Sequence, residues 1–286
     1  MSTKIHWCDE TINPVVGCSK ISAGCDNCYA EKMALRLSAM GLQQYHNTTT
    51  HHGVNKGWNG HTAFVPSELE KPYRWKSPRS IFICSMGDLF HPSVAYGNID
   101  LVMAMITSLP RHTFIVLTKR PHRMADYFKS AKGVGLLQPV ANLVLGVSVE
   151  NQQTANERIP VLLKIPAAKR FISLEPMLGP VDLKNLSAKS GIGLCYFQCL
   201  EAVTNRAGLD GVILGGESGN QTRPISPLWV KVISEQCKAA GVPFMFKQWG
   251  RNVIHGGNVF GFYNHASGLP IIDGESHTEL AWSVRE

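Results

Sequence analysis

Residues 113–130 read TFIVLTKRPHRMADYFKS and contain one repeat of the pattern that decides the fold. Thr113–Leu117 is a short run of β-branched and aromatic residues, which is typical of a buried strand. The polar turn Thr118-Lys119-Arg120 follows, and Pro121–Ser130 has helical period. This stretch therefore predicts a strand that ends in a polar turn and continues into a helix.

The same pattern recurs on both sides of this stretch. Further strand-like runs lie at Lys4–Trp7, Ser80–Cys84, Leu143–Val147, Arg170–Ser173, Gly211–Leu214 and Val242–Phe246. Segments of helical period lie at Ala30–Ala39, Ile99–Leu109, Gln152–Leu163 and Pro227–Ala240. Alternation of this kind predicts an α/β protein with repeated βα units around a parallel sheet of about seven strands.

We expect one domain over residues 1–286, with two insertions and an irregular extension from about residue 250. The first insertion, about 41–79, carries His46, His51, His52 and His61 and is interpreted as a loop or lid. These histidines have no regular ligand spacing, so a solvated loop is favoured over a second metal site. The second insertion, about 183–210, contains Cys195 and Cys199.

Polar turns follow the predicted strands. They are Ser85-Met86-Gly87-Asp88, Thr118-Lys119-Arg120, Ser148-Val149-Glu150-Asn151, Ser173-Leu174-Glu175-Pro176, Gly215-Gly216-Glu217-Ser218 and Lys247-Gln248-Trp249. The carboxyl ends of parallel strands are where α/β proteins build their sites, so we expect these turns to converge on one pocket. The alternative for each polar residue is a helix cap.

Composition restricts the class of protein. Hydrophobic residues make up 44% of the 286 residues and charged residues 17%, which excludes a mostly disordered chain. The formal charge of +7 favours a polyanionic partner such as nucleic acid, although a mildly basic surface explains it equally well. Because the sequence has no apolar run long enough to span a bilayer and no signal-peptide core, we expect a cytoplasmic protein without membrane contact.

Three of the eight cysteines, Cys18, Cys25 and Cys28, lie close together in the sequence. Cys28 is at the start of a predicted helix, where the helix dipole favours a thiolate. Structural zinc sites have four protein ligands, whereas three thiolates leave a [4Fe-4S] cluster with one open iron. The number of cysteines in the loop therefore favours an iron–sulfur cluster, and zinc bound with help from Cys8 or His6 is the alternative.

The segments around these cysteines carry a resemblance to a known family. They are Asn13-Pro14, Gly17-Cys18, Gly24-Cys25 and Cys28-Tyr29-Ala30-Glu31. Together they resemble the first strand, loop and helix of radical S-adenosylmethionine enzymes, especially relatives of spore photoproduct lyase. This sequence departs from the common pattern in having more residues between the first two cysteines and in having Asn27, not an aromatic residue, before the third.

A closer resemblance, over about residues 5–250, is to a phage-encoded family of radical-SAM-like proteins of unknown function. It runs through residues 85–91, 117–121, 146–151, 173–176, 215–218 and 246–250. The resemblance implies a partial (β/α) barrel of about six to seven parallel strands. It also implies that a cluster and S-adenosylmethionine generate a 5′-deoxyadenosyl radical, with electrons from an external one-electron reductant.

The resemblance assigns roles to individual side chains. It implies cofactor binding by Tyr29, Ser85, Asp88, Lys119, Ser148, Glu150 and Asn151. Within this set the turn ending in Asp88 would meet the methionine amino group, and Glu150 with its neighbours the ribose. Lys119 or Arg120 would hold the methionine carboxylate or a substrate phosphate. The candidate catalytic and substrate-binding residues are Glu175, Glu217 and Lys247, and buried ion pairs are the alternative for all of these residues.

The expected substrate is a nucleic acid, and specifically a thymine in phage DNA that undergoes hypermodification by an isomerase or lyase reaction. The positive net charge, the likeness to a DNA-lesion lyase and the phage setting of the family point to it. Two alternatives stay open at this stage. One is a radical enzyme that acts on a small metabolite or peptide, and the other is a zinc-stabilised nucleic-acid-binding protein without catalysis.

Overall fold

The computed structural model describes residues 5–51, 56–130, 139–190, 193–197, 208–219, 221–255, 258–261, 271–272, 274–278, 280 and 282. The chain divides into two compact units. The first consists of Met1–Leu145, Pro166–Ala168 and Trp282–Glu286, and the second of Gly146–Ile165 and Lys169–Ala281.

The first unit contains the amino-terminal half of the secondary structure. Its strands are β1 (Glu10–Ile12), β2 (Val15–Val16), β3 (Thr49–Thr50), β4 (Gly57–Trp58), β5 (Ala63–Phe64), β6 (Ser80–Ile83) and β7 (Thr113–Thr118), and β8 (Leu143–Ser148) begins in it. Its α-helices are α1 (Tyr29–Ala39), α2 (Gln43–His46), α3 (Tyr96–Ser108) and α4 (Pro121–Lys129). Short 3-10 helices lie at Ala23–Cys25, Pro66–Glu70 and Pro72–Arg74.

The second unit contains two longer helices, several sheet strands and small hairpins. Its helices are α5 (Gln152–Leu162) and α6 (Pro227–Ala240). Its strands are β9 (Lys169–Leu174), β10 (Leu186–Ser190), β11 (Gly193–Phe197), β12 (Gly211–Gly215), β13 (Phe244–Gln248), β14 (Asn252–His255), β15 (Asn258–Gly261), β16 (Ile271–Ile272) and β17 (Glu275–Ser276).

Seven strands form one parallel sheet in the order β1-β6-β7-β8-β9-β12-β13. The order follows the chain, as expected when each strand is joined to the next by a crossover. Every residue of β6, β8 and β12 is buried, which explains why these strands appear in the sequence as continuous apolar runs. The predicted α/β class and the predicted parallel sheet of about seven strands are confirmed.

The βα unit quoted first forms as predicted. Thr113–Thr118 is β7, and α4 begins at Pro121, whose fixed φ suits the first helical position. The helix buries Met124, Tyr127 and Phe128, and burial of each such side chain contributes roughly 1.5–3 kcal/mol. The Tyr127 hydroxyl donates to Asp100 at 2.9 Å, so its polar end is also satisfied.

The first strand was predicted at the wrong place. Residues 5–7 are not in a strand, and the sheet begins at Glu10–Ile12. Trp7 is nevertheless buried, with its ring 4.6 Å from that of Phe82. Trp7, the large apolar residue of that run, is therefore buried by packing outside the sheet and not as part of a strand.

The first insertion contains regular structure of its own. β2 pairs with β5, and β3 pairs with β4, both antiparallel. His51 accepts or donates a hydrogen bond with Ser38 Oγ at 2.8 Å, and His52 lies outside the described residues. In the second insertion β10 and β11 form an antiparallel hairpin, whereas Cys199 also lies outside the described residues. Among the described residues, no helix is both long enough and apolar enough to cross a membrane.

Candidate functional site

The cysteine loop begins directly after β2 and is fixed to the turn that follows β6. The Gly17 amide donates to the Met86 carbonyl at 3.1 Å, and Gly17 forms a parallel bridge with Gly87. Gly17 has φ +93°, and a Cβ at this position would collide with the His61 carbonyl oxygen. Only glycine fits here, because both the backbone conformation and the close approach exclude a side chain.

The remainder of the loop is a series of tight turns. The Cys25 amide donates to the Ser22 carbonyl at 2.8 Å, and the Cys28 amide donates to the Cys25 carbonyl at 3.4 Å. Cys28 is the N-cap of α1, as predicted. It therefore lies at the positive end of the helix dipole.

Arg120, from the turn after β7, contacts the first cysteine. Its Nη1 lies 3.6 Å from Cys18 Sγ, and its Nη2 donates to both the carbonyl and the hydroxyl of Ser19 at 2.9 Å. The Arg120 side chain is only 9% exposed. The buried guanidinium of Arg120 therefore lies next to the sulfur of Cys18, the first cysteine of the loop.

Asp88, in the turn after β6, holds this arginine. Its Oδ2 accepts from Arg120 Nη1 at 2.8 Å. Its Oδ1 accepts from Thr118 Oγ1 at 2.8 Å and from the Phe90 amide at 2.9 Å. The turns after two neighbouring strands are therefore joined by a buried ion pair, an arrangement that keeps both charges satisfied.

The two cysteines that face cations differ in acidity. Burial raises the pKa of the Cys18 thiol to about 11, with a further increase from Asp88, and Arg120 opposes both. Burial also acts to raise the pKa of Cys25, but Lys119 and hydrogen bonds from the preceding turn outweigh it, so this pKa is lowered. Cys25 is consequently the more readily ionised of the two thiols.

The donor set fits an iron–sulfur centre in its chemistry. Three thiols lie on one loop, and cationic side chains act on two of them, which compensates the negative charge of thiolate ligands. Within the described part of the chain, no group of three or more His, Cys, Asp or Glu residues is arranged to hold a single metal ion. This finding includes Cys18, Cys25 and Cys28, so their role as cluster ligands stays a prediction.

The predicted cofactor residues near this loop are linked by hydrogen bonds. The Tyr29 hydroxyl donates to the Ser85 carbonyl at 2.8 Å. Asn13 Oδ1 accepts from Ser85 Oγ at 3.1 Å and from the Met86 amide at 2.8 Å. Tyr29, Ser85 and Asp88 thus lie around the turn after β6, and their cofactor role stays a prediction.

In the second unit, the turn after β8 contains a buried ion pair. Arg158 Nη1, from α5, donates to the Ser148 carbonyl at 2.9 Å and lies 3.5 Å from Glu150 Oε1. Asn151 caps α5, since its side chain accepts from the Thr154 amide at 3.0 Å. The structure thus gives Glu150 and Asn151 the ion-pair and capping contacts that were the alternatives to ribose binding.

The candidate catalytic residues of the second unit form two ion pairs. Lys247 Nζ lies 2.7 Å from Glu175 Oε1, and Ser173 Oγ donates to Glu175 Oε2 at 2.9 Å. Glu217 is paired with Arg223, which also donates from its backbone amide at 2.8 Å. Lys247 and Glu175 are partly exposed, at 25% and 16%, so this pair is in contact with solvent, and the catalytic role of both residues stays a prediction.

The comparison with protein families gives a match over nearly the whole chain. The family described as "Protein of unknown function (DUF5131)" matches residues 2–280. The chain belongs to this family. No curated protein and no solved structure matches it. The description of the DUF5131 family names no activity.

Sequence reasoning missed several side chains that complete the site of this DUF5131 protein. His91 Nε2 lies 2.8 Å from Ser19 Oγ, and its Nδ1 lies 2.8 Å from Ser93 Oγ. Burial and the nearby Arg120 lower the pKa of His91 to about 4, so it is neutral near pH 7. Both residues lie in stretches that carry the family resemblance, His91 in residues 85–91 and Asn13 in the segments around the cysteines, but neither was given a role of its own.

Other cysteines are separate from the loop. Cys8, Cys84 and Cys237 are buried, and burial raises the pKa of the Cys237 thiol to about 12. Buried neutral thiols of this kind behave as small apolar side chains. Cys199 and the side chain of Cys195 lie outside the described residues.

Proposed function

We propose that this protein is a radical S-adenosylmethionine enzyme that holds a [4Fe-4S] cluster through Cys18, Cys25 and Cys28 and modifies a base of phage DNA. The fold would then be a partial barrel of the radical SAM type, working in the cytoplasm of an infected bacterial host. An external one-electron reductant is the second partner, and the reaction belongs to the isomerase or lyase class.

The observation that carries the proposal is the fixed position of the cysteine loop. The loop is bonded at Gly17 to the turn after β6, contacts Arg120 from the turn after β7, and ends at the first turn of α1. It therefore lies at the carboxyl ends of neighbouring parallel strands, where α/β proteins bind cofactors.

The cluster, when bound, supplies the electron that cleaves the sulfonium of S-adenosylmethionine and so yields a 5′-deoxyadenosyl radical that removes hydrogen from substrate. The chain's own residues bind and orient the reactants. Lys119, whose positive charge acts on Cys25, would bind the methionine carboxylate, and Arg120 contacts Cys18, Ser19 and Asp88. Tyr29 and Ser85 are hydrogen-bonded to each other at the neighbouring turn, after β6.

The second unit supplies groups for a polar substrate. Lys247 and Glu175 form a partly exposed pair, and a lysine beside a carboxylate can donate to a base carbonyl while the carboxylate accepts from an imide N–H. Glu217 with Arg223 offers a second pair of this kind. Since thymine presents both a donor and acceptors on its pairing edge, these residues suit a base extruded from the stack.

Anaerobic reconstitution tests the proposed cofactor. The wild-type protein should take up about four iron and about four sulfide per chain, with brown absorbance, as a [4Fe-4S] centre requires. After reduction with dithionite it should convert S-adenosylmethionine to 5′-deoxyadenosine. One tightly bound zinc with no uptake of iron and sulfide would contradict the proposal and favour a zinc-stabilised binding protein.

A further inference from the structure

We propose that Arg120 is a positioning residue that raises the reduction potential of the centre bound through Cys18, and that Asp88 holds it in place for this purpose. This inference rests on the proposed function, because it concerns the cluster that the three cysteines would hold. It assigns to Arg120 a role distinct from the substrate or carboxylate binding expected from the sequence.

The guanidinium is fixed on the cysteine side by three contacts. Nη1 points at Cys18 Sγ from 3.6 Å, and Nη2 donates twice to Ser19 at 2.9 Å. Nη1 thus contacts the sulfur of Cys18, and Nη2 is hydrogen-bonded to the two oxygens of the next residue, Ser19. Because a planar guanidinium presents its donors in a fixed geometry, this arrangement orients an N–H and a positive charge at the sulfur.

Asp88 also fixes the guanidinium, through the same nitrogen that faces Cys18. The carboxylate accepts from Arg120 Nη1 at 2.8 Å and is itself held by Thr118 and the Phe90 amide. Asp88 and Arg120 have side chains that are 7% and 9% exposed. If the arginine moved away from Cys18, it would leave a buried carboxylate without its cation, which is costly. The contact with the sulfur is therefore maintained by the surrounding structure.

A cation and hydrogen-bond donor at a ligand sulfur favours the reduced centre. Reduction adds one electron, and so one negative charge, to the group held by the thiolates. An adjacent positive charge stabilises that added charge, and hydrogen bonds to cluster sulfurs are one of the means by which proteins set the potential. Loss of Arg120 should therefore make the centre harder to reduce, with the electron in the test supplied by dithionite.

The alternative is that Arg120 only ties the loop to the turn after β7. Arg123 provides a matched control, since it lies on α4 and contacts the Val94 carbonyl and the Tyr96 ring but not the cysteine loop. Arg120→Gln and Arg123→Gln remove the same charge from residues three apart. Only the first should change the potential if the contact with Cys18 matters.

The experiment is a redox titration of the reconstituted holoprotein followed by electron paramagnetic resonance, with melting temperatures recorded in parallel. For Arg120→Gln we expect about a tenfold lower ratio of reduced to oxidised centre at a fixed potential, which is about 59 mV for one electron. Arg123→Gln should match the wild type. Arg120→Lys keeps the positive charge but lacks the planar set of guanidinium donors. Its reduction potential should therefore fall in the same direction as that of Arg120→Gln, but by less.

Equal potentials for Arg120→Gln and Arg123→Gln would overturn the inference even if the cluster forms normally. If Arg120→Gln cannot be loaded, Arg120→Lys decides the matter, and a wild-type potential in that variant overturns the inference. Failure of the wild-type protein to bind a cluster would instead contradict the proposed function, so the two failures are distinguishable.

Discussion

At the scale of single residues, the acids that follow the strands are each paired with a cation. Asp88 is paired with Arg120, Glu150 with Arg158, Glu175 with Lys247 and Glu217 with Arg223. These pairs differ in burial, so they should differ in energetic role. The Glu150–Arg158 pair is almost fully buried, whereas Lys247 and Arg223 remain partly exposed.

Replacing Glu150 by Ala tests the buried pair. The change leaves Arg158 buried without its carboxylate, and we expect the free energy of unfolding to fall by about 3–5 kcal/mol. Glu70→Ala is the control, because the Arg74–Glu70 pair is exposed and such pairs contribute about 0–1 kcal/mol. Denaturant unfolding measures both. If Glu150→Ala unfolds like the wild type but binds S-adenosylmethionine more weakly, the pair is not the main role of Glu150.

His91 should make stability depend on pH. Its folded-state pKa, about 4, lies below its ordinary value of 6.5, through burial and Arg120 chiefly, with Arg123 adding and Asp88 opposing. The unfolded chain therefore binds a proton first as pH falls, so stability is lost between about pH 6.5 and pH 4. His91→Asn should remove the part of this pH-dependent loss of stability that comes from His91.

Melting curves of the wild-type protein and of His91→Asn across this pH range measure the effect. The difference in melting temperature between the two proteins should shrink as pH falls from 6.5 to 4, because only the wild type loses the contribution of His91. His112, whose pKa is also lowered by burial, is present in both proteins and cancels in the comparison. A difference that stays constant with pH would contradict the assignment.

At the scale of secondary-structure elements, close packing of neighbouring strands explains an otherwise puzzling glycine. Gly146 lies within β8, and a Cβ there would overlap the ring of Phe171 on β9. Glycine inside a strand weakens it, so it is expected only where another group approaches closely. The ring of Phe171 occupies that space.

Gly146→Ala should therefore destabilise the protein, by about 1–3 kcal/mol, because a buried ring or strand has to shift. Gly97→Ala is the matched control, since nothing lies within 4 Å of its Cβ position in α3 and alanine is the better helix former. Thermal melting distinguishes the two. Equal melting temperatures would mean that β8 and β9 adjust without cost.

The strands that could be predicted from sequence are those whose residues are buried along most of their length. β7, β8, β9, β12 and β13 were found because parallel strands buried on both faces appear as apolar runs. β1 was missed because it has only three residues, two of them half-buried and polar. The ion pairs were beyond prediction, since the partner of Glu150 is eight residues away on α5 and depends on how that helix packs.

The candidate site was predictable where chemistry and spacing coincide. The position of Cys28 at the start of a helix followed from the sequence, and so did the place of the polar turns at strand ends. The contact between Arg120 and Cys18 did not, because these residues are 102 positions apart and meet only through the pairing of β1, β6 and β7. Long-range contacts of that kind require the fold.

At the scale of the whole molecule, the net charge of +7 bears on the substrate. If the protein binds DNA through Lys and Arg contacts to phosphate, affinity should fall steeply between about 50 and 200 mM salt, since counterions are released. Fluorescence anisotropy with a labelled duplex and a labelled single strand measures this. Binding of S-adenosylmethionine, a small ligand, provides a control that should vary little. DNA affinity that is flat with salt would favour a small-molecule or peptide substrate.

The most direct test of the central claim is the iron and sulfide content of cysteine variants after anaerobic reconstitution. Cys18→Ala, Cys25→Ala and Cys28→Ala should each lose the cluster, because two thiolates hold it poorly. Cys84→Ala and Cys237→Ala, which alter buried cysteines outside the loop, should keep wild-type content if they fold. Wild-type iron and sulfide in Cys25→Ala would contradict the claim.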